Sequence, residues 1–294
     1  MWSRPGRDPT AVTFLEELRL DYSLMTRTPF TNFDNDASSC YDRILLPIAS
    51  LVARGFGIHR DVVFIHAKTL EEATFKLKLG SKLSEEFYKH CIIFPIHGSG
   101  QGSGNSPVIW CFISCKLFQI HHQHSHGMIF KSPDGDITLR ISIIGFVDDS
   151  TCTTSVQPGT DPNILLQKTQ EDAQLWHDLL WTSGGKLELP KCGYHTIYYE
   201  FHPSGIPYIA HSRDDGGAPI QLKTAQGEAI TIEEKNIYTP RKNLGHYKSP
   251  AGNYKIQAAK ILEKATEISQ AITKCSITRP EAQMLYSTAG LYTD

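Results

Sequence analysis

The chain has 294 residues, 40% hydrophobic and 20% charged, a globular composition that argues against disorder and leaves room for two subdomains around a sizeable core. A formal net charge of −2 gives no bulk electrostatic sign of a nucleic-acid partner. Seven cysteines (Cys40, Cys91, Cys111, Cys115, Cys152, Cys192 and Cys275) lack the paired spacing of a disulfide framework, which points to a reducing compartment.

In chain order, Met1 to Thr10 carries Arg4, Arg7 and Asp8 and has no apolar leader core, and no apolar run in the chain has the length of a membrane span. The expected location is intracellular, in cytoplasm or nucleus, with no membrane partner. Pro9 to Leu24 reads as a helix with Val12, Leu15, Leu18 and Leu20 on its apolar side. A short strand, Thr31 to Asp36, runs into a helix over Ser38 to Arg54, which Gly55 and Gly57 stop. Asp61 to His66 is β-rich and reads as a strand. Leu70 to Leu79 and Ser84 to His90 read as short helices. A glycine-rich turn, Gly98 to Gly104, precedes a helix that opens at Pro107, where a missing N–H costs nothing, and runs through Ile120. Met128 to Phe130 and Ile137 to Val147 are β-rich around the turn Pro133-Asp134-Gly135. Ile164 to Trp181 has helical spacing and ends at Gly184-Gly185. Leu187 to Phe201 reads as two strands around Lys191, and residues 202–240 as weak strands. Asn253 to Ile272 and Arg279 to Leu291 read as helices. This order predicts an α+β fold, an antiparallel sheet with helices on one face.

Acidic residues stand at two strand ends: Asp36, and Asp148-Asp149 after the apolar run Ile141 to Val147. Adjacent carboxylates at the tip of a buried strand need partners. A pair of divalent cations supplies them; an Asp-rich β-turn is the other reading. Asp34 would share a strand face with Asp36 and competes with it as a ligand. From Arg241 to Lys274 seven basic residues stand against two glutamates, either a solvated helix face or a stripe that follows a phosphate backbone. Cys111 and Cys115 share a helix face, and His121, His122, His124 and His126 crowd a helix end, where histidines suit the dipole. No acidic cluster completes a zinc site at either place. Trp176 and Trp181 read as core.

Three motifs in order resemble the reverse transcriptase family. Asp36-Ala37-Ser38-Ser39-Cys40-Tyr41-Asp42 is similar to its first metal-binding motif. Gln101-Gly102-Ser103-Gly104-Asn105-Ser106-Pro107 is its complete glycine-rich motif, and Phe146-Val147-Asp148-Asp149 its aromatic-x-Asp-Asp motif. Leu187-Glu188-Leu189-Pro190-Lys191-Cys192 resembles the later palm motif, and Asn243-Leu244-Gly245 the primer-grip turn. Ser3-Arg4-Pro5-Gly6-Arg7 resembles the end of the fingers block of non-LTR and group II intron enzymes. The likeness runs over residues 3 to 290 and is strongest between 33 and 150, in the style of protist or algal retrotransposons.

The resemblance implies a polymerase palm with partial fingers and a helical thumb. Residues 1–30 would be the truncated end of the fingers, and 31–201 the palm, with an inserted fingers segment at about 55–97. Residues 202–240 would be the palm–thumb connection and 241–294 part of the thumb. It implies RNA-directed DNA polymerase activity, with an RNA template, a DNA or RNA primer and dNTPs. Asp36, Asp148 and Asp149 would hold two Mg²⁺ ions, with Mn²⁺ as the substitute. Tyr41 would exclude a 2′-hydroxyl, against a plain core tyrosine. Gln101 and Gly102 would meet template or nucleotide, Arg4 and Arg7 template or triphosphate, and Leu244 and Gly245 the primer. Lys191 would protonate pyrophosphate, against a solvated surface lysine. Two rivals remain. One is an inactive or domesticated remnant that only binds RNA. The other is an RNA-dependent RNA polymerase, which would lack the glycine-rich motif and the bulky Tyr41.

Overall fold

The computed structural model describes residues 9–89, 91, 97–100, 103–146, 149–210, 219–243, 246–275 and 277–284. In chain order the elements open with α1 (Pro9–Thr26), β1 (Phe30–Asp36), α2 (Cys40–Arg43), α3 (Leu46–Gly55) and α4 (Arg60–Glu72). Four two-residue strands follow: β2 (Thr74–Phe75), β3 (Lys78–Leu79), β4 (Lys82–Leu83) and β5 (Tyr88–Lys89). Next come α5 (Ser106–His124), β6 (Met128–Lys131), β7 (Thr138–Ile141), β8 (Ile143–Phe146), β9 (Asp149–Ser155) and α6 (Pro162–Thr182). A 3₁₀ turn, Leu189–Lys191, leads to β10 (Gly193–Ile197), β11 (Tyr199–Phe201), β12 (Pro207–Ile209), β13 (Ile220–Lys223) and β14 (Ala229–Ile232). The last elements are β15 (Arg241–Asn243), β16 (His246–Lys248) and α7 (Lys255–Lys274). The fold is α+β, as the sequence pattern predicts. No helix among the described residues is long and apolar enough to cross a membrane.

The central sheet has the order β10-β1-β9-β8, with every neighbour antiparallel. Strand alternation gives its two faces different chemistry. Thr31, Phe33 and Asn35 point into the core, together with Cys152 and Tyr194, their neighbours across Phe33. There α6 covers them with Leu165, Thr169, Ala173, Trp176 and Leu180, an i, i+4 stripe of buried side chains. Burying each large apolar side chain in that stripe contributes about 1.5–3 kcal/mol. From α5, Trp110, Ile113 and Leu117 join the same core. The opposite face carries Asn32, Asp34 and Asp36. Over it, α1 presents Arg19, which is 1% exposed and donates from Nη1 to Thr153 Oγ1. The described helices therefore lie mainly on one face, with α1 crossing the other.

Five local expectations change. The two strands read around Lys191 both follow it, as β10 and β11, and Lys191 itself ends the 3₁₀ turn. The single helix over 38–54 is two helices, because Pro47 cannot donate to the carbonyl of Arg43 and its ring would clash with it. The β-rich run 61–66 lies inside α4, which continues through Ala67–Glu72 and carries the Lys68–Glu72 pair at 3.5 Å. Exposed there, an unpaired strand would leave its backbone bonds to water, whereas a helix satisfies them internally. Of the short helices over 70–79 and 84–90, residues 70–72 are the end of α4, whereas 74–79 and 82–89 form a hairpin built on Phe75-Lys76-Leu77-Lys78-Leu79, whose period is two, turning at Gly80 (φ 61); His90 lies outside the described residues. The strand over 137–147 divides at Ser142, with β7 pairing to β6 and β8 to β9. Residues 279–284 are helical, as expected for the last helix.

Candidate functional site

The sheet brings two distant acidic positions together. In the β1–β9 register Asp36 lies directly opposite Asp149, with Asn35 opposite Ser150 and Asp34 opposite Thr151. Directly opposed residues of an antiparallel pair have Cα atoms about 4.5–5.5 Å apart and side chains on the same face. Asp36 is 6% exposed. Asp148 lies outside the described residues; in sequence it falls with Val147 between Phe146 and Asp149, which pair with each other.

Directly beneath, Asn35 fixes this register. Its Oδ1 accepts from Ser150 Oγ at 2.6 Å and from Trp176 Nε1 at 2.7 Å, so β1, β9 and α6 meet at one buried amide. On the carboxylate side, Thr151 Oγ1 donates to Asp34 Oδ1 at 2.9 Å, and His195 Nδ1 stands 3.4 Å from Asp34 Oδ2. Thr153 Oγ1 donates to Asn32 Oδ1 at 2.8 Å. Burial lowers the pKa of Arg19, and Glu16 and Asp34 oppose that shift.

Past Asp36 the chain pairs with the segment before Lys191. Ser38 N–H donates to Lys186 C=O at 2.8 Å, Glu188 N–H to Asp36 C=O at 2.9 Å, and Ala37 bridges Leu187. The Leu189–Lys191 turn then directs the Lys191 ammonium onto Asp36 Oδ2. The hydrogen bond and charge of Asp36 raise the Lys191 pKa, with Glu188 and Asp149 adding to it. Next to it, burial pushes the Cys192 thiol up to about 11.

Tyr41 sits on α2, half-buried against the core. Ser39 enters that helix in the left-handed region (φ 49). The glycine-rich segment docks here. Gly98 N–H donates to Ile44 C=O and Ser99 N–H to Tyr41 C=O, both at 2.9 Å. At Gly98 (φ +82) a Cβ would fall 2.4 Å from Asp42 Cα and from the Tyr41 carbonyl oxygen, so only glycine permits this approach. Ser106 Oγ donates to Ser99 C=O at 3.0 Å and Gly100 C=O at 2.7 Å, joining the turn to the start of α5. Gln101, Gly102, Arg4, Arg7, Leu244 and Gly245 lie outside the described residues.

The histidine run serves the fold. His121 is fully buried with Nε2 3.1 Å from Asp172 C=O, and His122 Nδ1 lies 3.2 Å from Ser142 Oγ. His126 donates its backbone N–H to Asp172 Oδ1, and its Nδ1 is 2.9 Å from the same oxygen. Trp176 is core, whereas Trp181 is 47% exposed. Among the described residues no group of three or more His, Cys, Asp and Glu is assembled to hold a metal ion. The donor chemistry at the sheet end still fits a hard cation: two carboxylates face each other, and one already holds an ammonium group. Sequence reasoning missed Asn35, Gly98 and Arg19. For Asn35 the signal was its place in the alternation, on the same side as Phe33.

No protein-family model matches the chain, and neither does any curated protein. Among solved structures it is similar to telomerase from Candida albicans in complex with a TWJ fragment of telomeric RNA. The identity is 12%, over 95% of this chain and 41% of that chain, with a TM-score of 0.35. The chain thus spans less than half the length of that neighbour. A likeness of this size leaves the chemistry to be judged from the residues themselves.

Proposed function

We propose that this chain is the palm, with adjoining parts of fingers and thumb, of an RNA-directed DNA polymerase from a retrotransposon-like element. The observation that carries the reading is the register that sets Asp36 opposite Asp149, next in sequence to Asp148. In this reading residues 31–201 are the palm, 55–97 its inserted fingers segment and 241–294 part of the thumb. The primer 3′-hydroxyl attacks the α-phosphate of a dNTP in line, and pyrophosphate leaves. Asp36, Asp148 and Asp149 would hold two Mg²⁺ ions, which when bound supply charge neutralisation at the triphosphate and a more acidic 3′-hydroxyl.

The protein's own contribution is mainly positioning. Asn35 and Trp176 hold the two acidic strands in register from below. Tyr41, pinned through its carbonyl by Ser99, is the proposed sugar gate, with Gln101 and Gly102 nearby in sequence as nucleotide or template contacts. Lys191, kept protonated beside Asp36, is the proposed proton donor to pyrophosphate. Leu244 and Gly245, between the paired Asn243 and His246, are the proposed primer grip.

The test is dNTP incorporation on a primed RNA, with and without Mg²⁺, by wild type, Asp36→Asn, Asp148→Ala and Tyr41→Ala. Wild type should extend only with the metal, the two Asp variants should fail while keeping a native circular-dichroism spectrum, and Tyr41→Ala should admit ribonucleotides. Full extension by either Asp variant would sink the mechanism. A folded wild type that binds RNA yet never extends it would favour the non-catalytic RNA-binding reading.

A further inference from the structure

The polymerase chemistry above leaves one pair of reactive groups on α5 unused. Cys111 and Cys115 are half-buried, unlike the buried Cys40, Cys152 and Cys192 and the exposed Cys91 and Cys275, and neither is in a disulfide. Four residues of helix turn by about 400° and rise about 6 Å, so the second thiol stands almost directly above the first. The two side chains reach each other through a hydrogen bond between the thiols. Burial first, and Cys111 after it, raise the Cys115 pKa, so the pair is protonated and unreactive until something displaces its protons.

The spacing selects what this pair can hold. Cβ atoms at i and i+4 of a helix stand about 5–6 Å apart, whereas a disulfide needs about 3.5–4.5 Å. The pair therefore cannot oxidise to a disulfide while α5 keeps its helical form. A single ion between the sulfurs fits, because two metal–thiolate bonds of about 2.3 Å each span up to about 4.6 Å. Donor type narrows the ion. The sequence of α5 holds no Asp or Glu, and its one lysine, Lys116, turns to Gln119 Oε1 at 3.0 Å. A hard cation such as Mg²⁺ finds no carboxylate there, and Zn²⁺ would be two ligands short of its tetrahedron. Thiolates alone select a soft cation, and cuprous copper is the one that accepts two ligands in line.

We infer that Cys111 and Cys115 form a binding site for one Cu(I) ion, held between two successive turns of α5. Each thiol gives its proton to solvent as two Cu–S bonds form. The product is a bis-thiolate with one net negative charge, and copper stays cuprous throughout. The site uses no residue of the proposed polymerase centre, so it stands or falls independently of dNTP incorporation.

The experiment is anaerobic titration of the full chain with the coloured Cu(I)–bicinchoninate complex, in a Cys91→Ser/Cys275→Ser background that removes the exposed thiols. That protein should withdraw one equivalent of copper and bleach the complex to match. Adding Cys111→Ser or Cys115→Ser should each abolish the withdrawal while the circular-dichroism spectrum stays native. Two further variants separate geometry from thiol count. Cys111→Ser/Gln119→Cys restores the four-residue spacing one turn further on and should restore binding. Cys115→Ser/Lys116→Cys sets the thiols about 140° apart around the helix and should not. No withdrawal by the background protein, undiminished withdrawal by the serine variants, or half an equivalent per chain, the mark of an ion shared between two molecules, would overturn the inference. So would closure of the pair to a disulfide with helicity intact.

Discussion

Replacing Gly98 with alanine should damage the molecule far more than the same change at Gly100, only two residues away. Both glycines have left-handed backbone, at φ +82 and +77, so both substitutions incur the cost of placing a Cβ there, about 1–2 kcal/mol. At Gly100 nothing lies within 4 Å of the new Cβ, and the cost stops there. At Gly98 the Cβ would fall 2.4–2.5 Å from Asp42 Cα, the Tyr41 carbonyl oxygen and Asp42 C, all of them backbone. Relief requires the segment to lift from α2. Lifting breaks the bonds from Gly98 N–H to Ile44 C=O and from Ser99 N–H to Tyr41 C=O, each contributing about 0.5–1.5 kcal/mol net. Gly98→Ala should therefore cost about 2–5 kcal/mol in urea unfolding, against about 1–2 for Gly100→Ala. It should also lower dNTP incorporation, because Tyr41 loses the contact that pins it. Equal destabilisation by the two variants would refute the docking of the glycine-rich segment on Tyr41 and Asp42.

Asp172, 2% exposed, accepts from Thr154 Oγ1, His126 N–H and His126 Nδ1; Asp172→Ala should cost about 3–5 kcal/mol by denaturant titration, and Asp172→Asn roughly half of that. Lys191→Met should remove an exposed ion pair from Asp36 and cost less than about 1 kcal/mol. Because the Lys191 pKa is raised by folding, that contribution is fully present below the unfolded value near about 10.4 and fades only as pH rises through the folded value. The stability difference between wild type and variant should thus stay flat from pH 6 to 9. Among the cysteines, exposed Cys91 and Cys275 should react promptly with a thiol reagent at pH 8, while buried Cys40, Cys152 and Cys192 should react only on unfolding. Burial holds the Cys192 thiol at about 11 and pushes that of Cys152 well above its ordinary value, so a fast-reacting Cys192 would contradict its packing.

What the sequence makes legible follows from how strongly one interaction dominates each stretch. Pro107 announces α5 because its chemistry admits few other places, and the observed helix begins at Ser106. The Leu165–Leu180 stripe of α6 is readable because burial alone imposes its spacing. The meeting of Asp36 with Asp149 is foreseeable because carboxylates at strand ends need company. Residues 60–89 are misread because little there is buried: without a core to select one face, β-branched Val62 and Val63 do not distinguish helix from strand. Asn35 is hidden for a different reason. It lies between Asp34 and Asp36, so in that polar run only its place two residues after Phe33 marks the side that faces Trp176.

A nearly neutral sequence can still carry a concentrated charge pattern, and the sheet's polar face is a case in point. Asp34, Asp36 and Asp149 bring three carboxylates to one surface, answered by the His195 imidazole, the Lys191 ammonium and the buried Arg19 guanidinium. Of these, Arg19 and His195 are enclosed at 1% and 5% exposure, so their positions are fixed by packing. Lys191 alone reaches in from solvent, with its side chain 68% exposed, and a solvated lysine is the partner that can leave at least cost. Packing therefore fixes the neighbours of Asp34, whereas the partner of Asp36 comes from an exposed side chain. A cation arriving at Asp36 would compete with the solvent-exposed Lys191 ammonium, so the end of the sheet can change partners while its registered core stays in place.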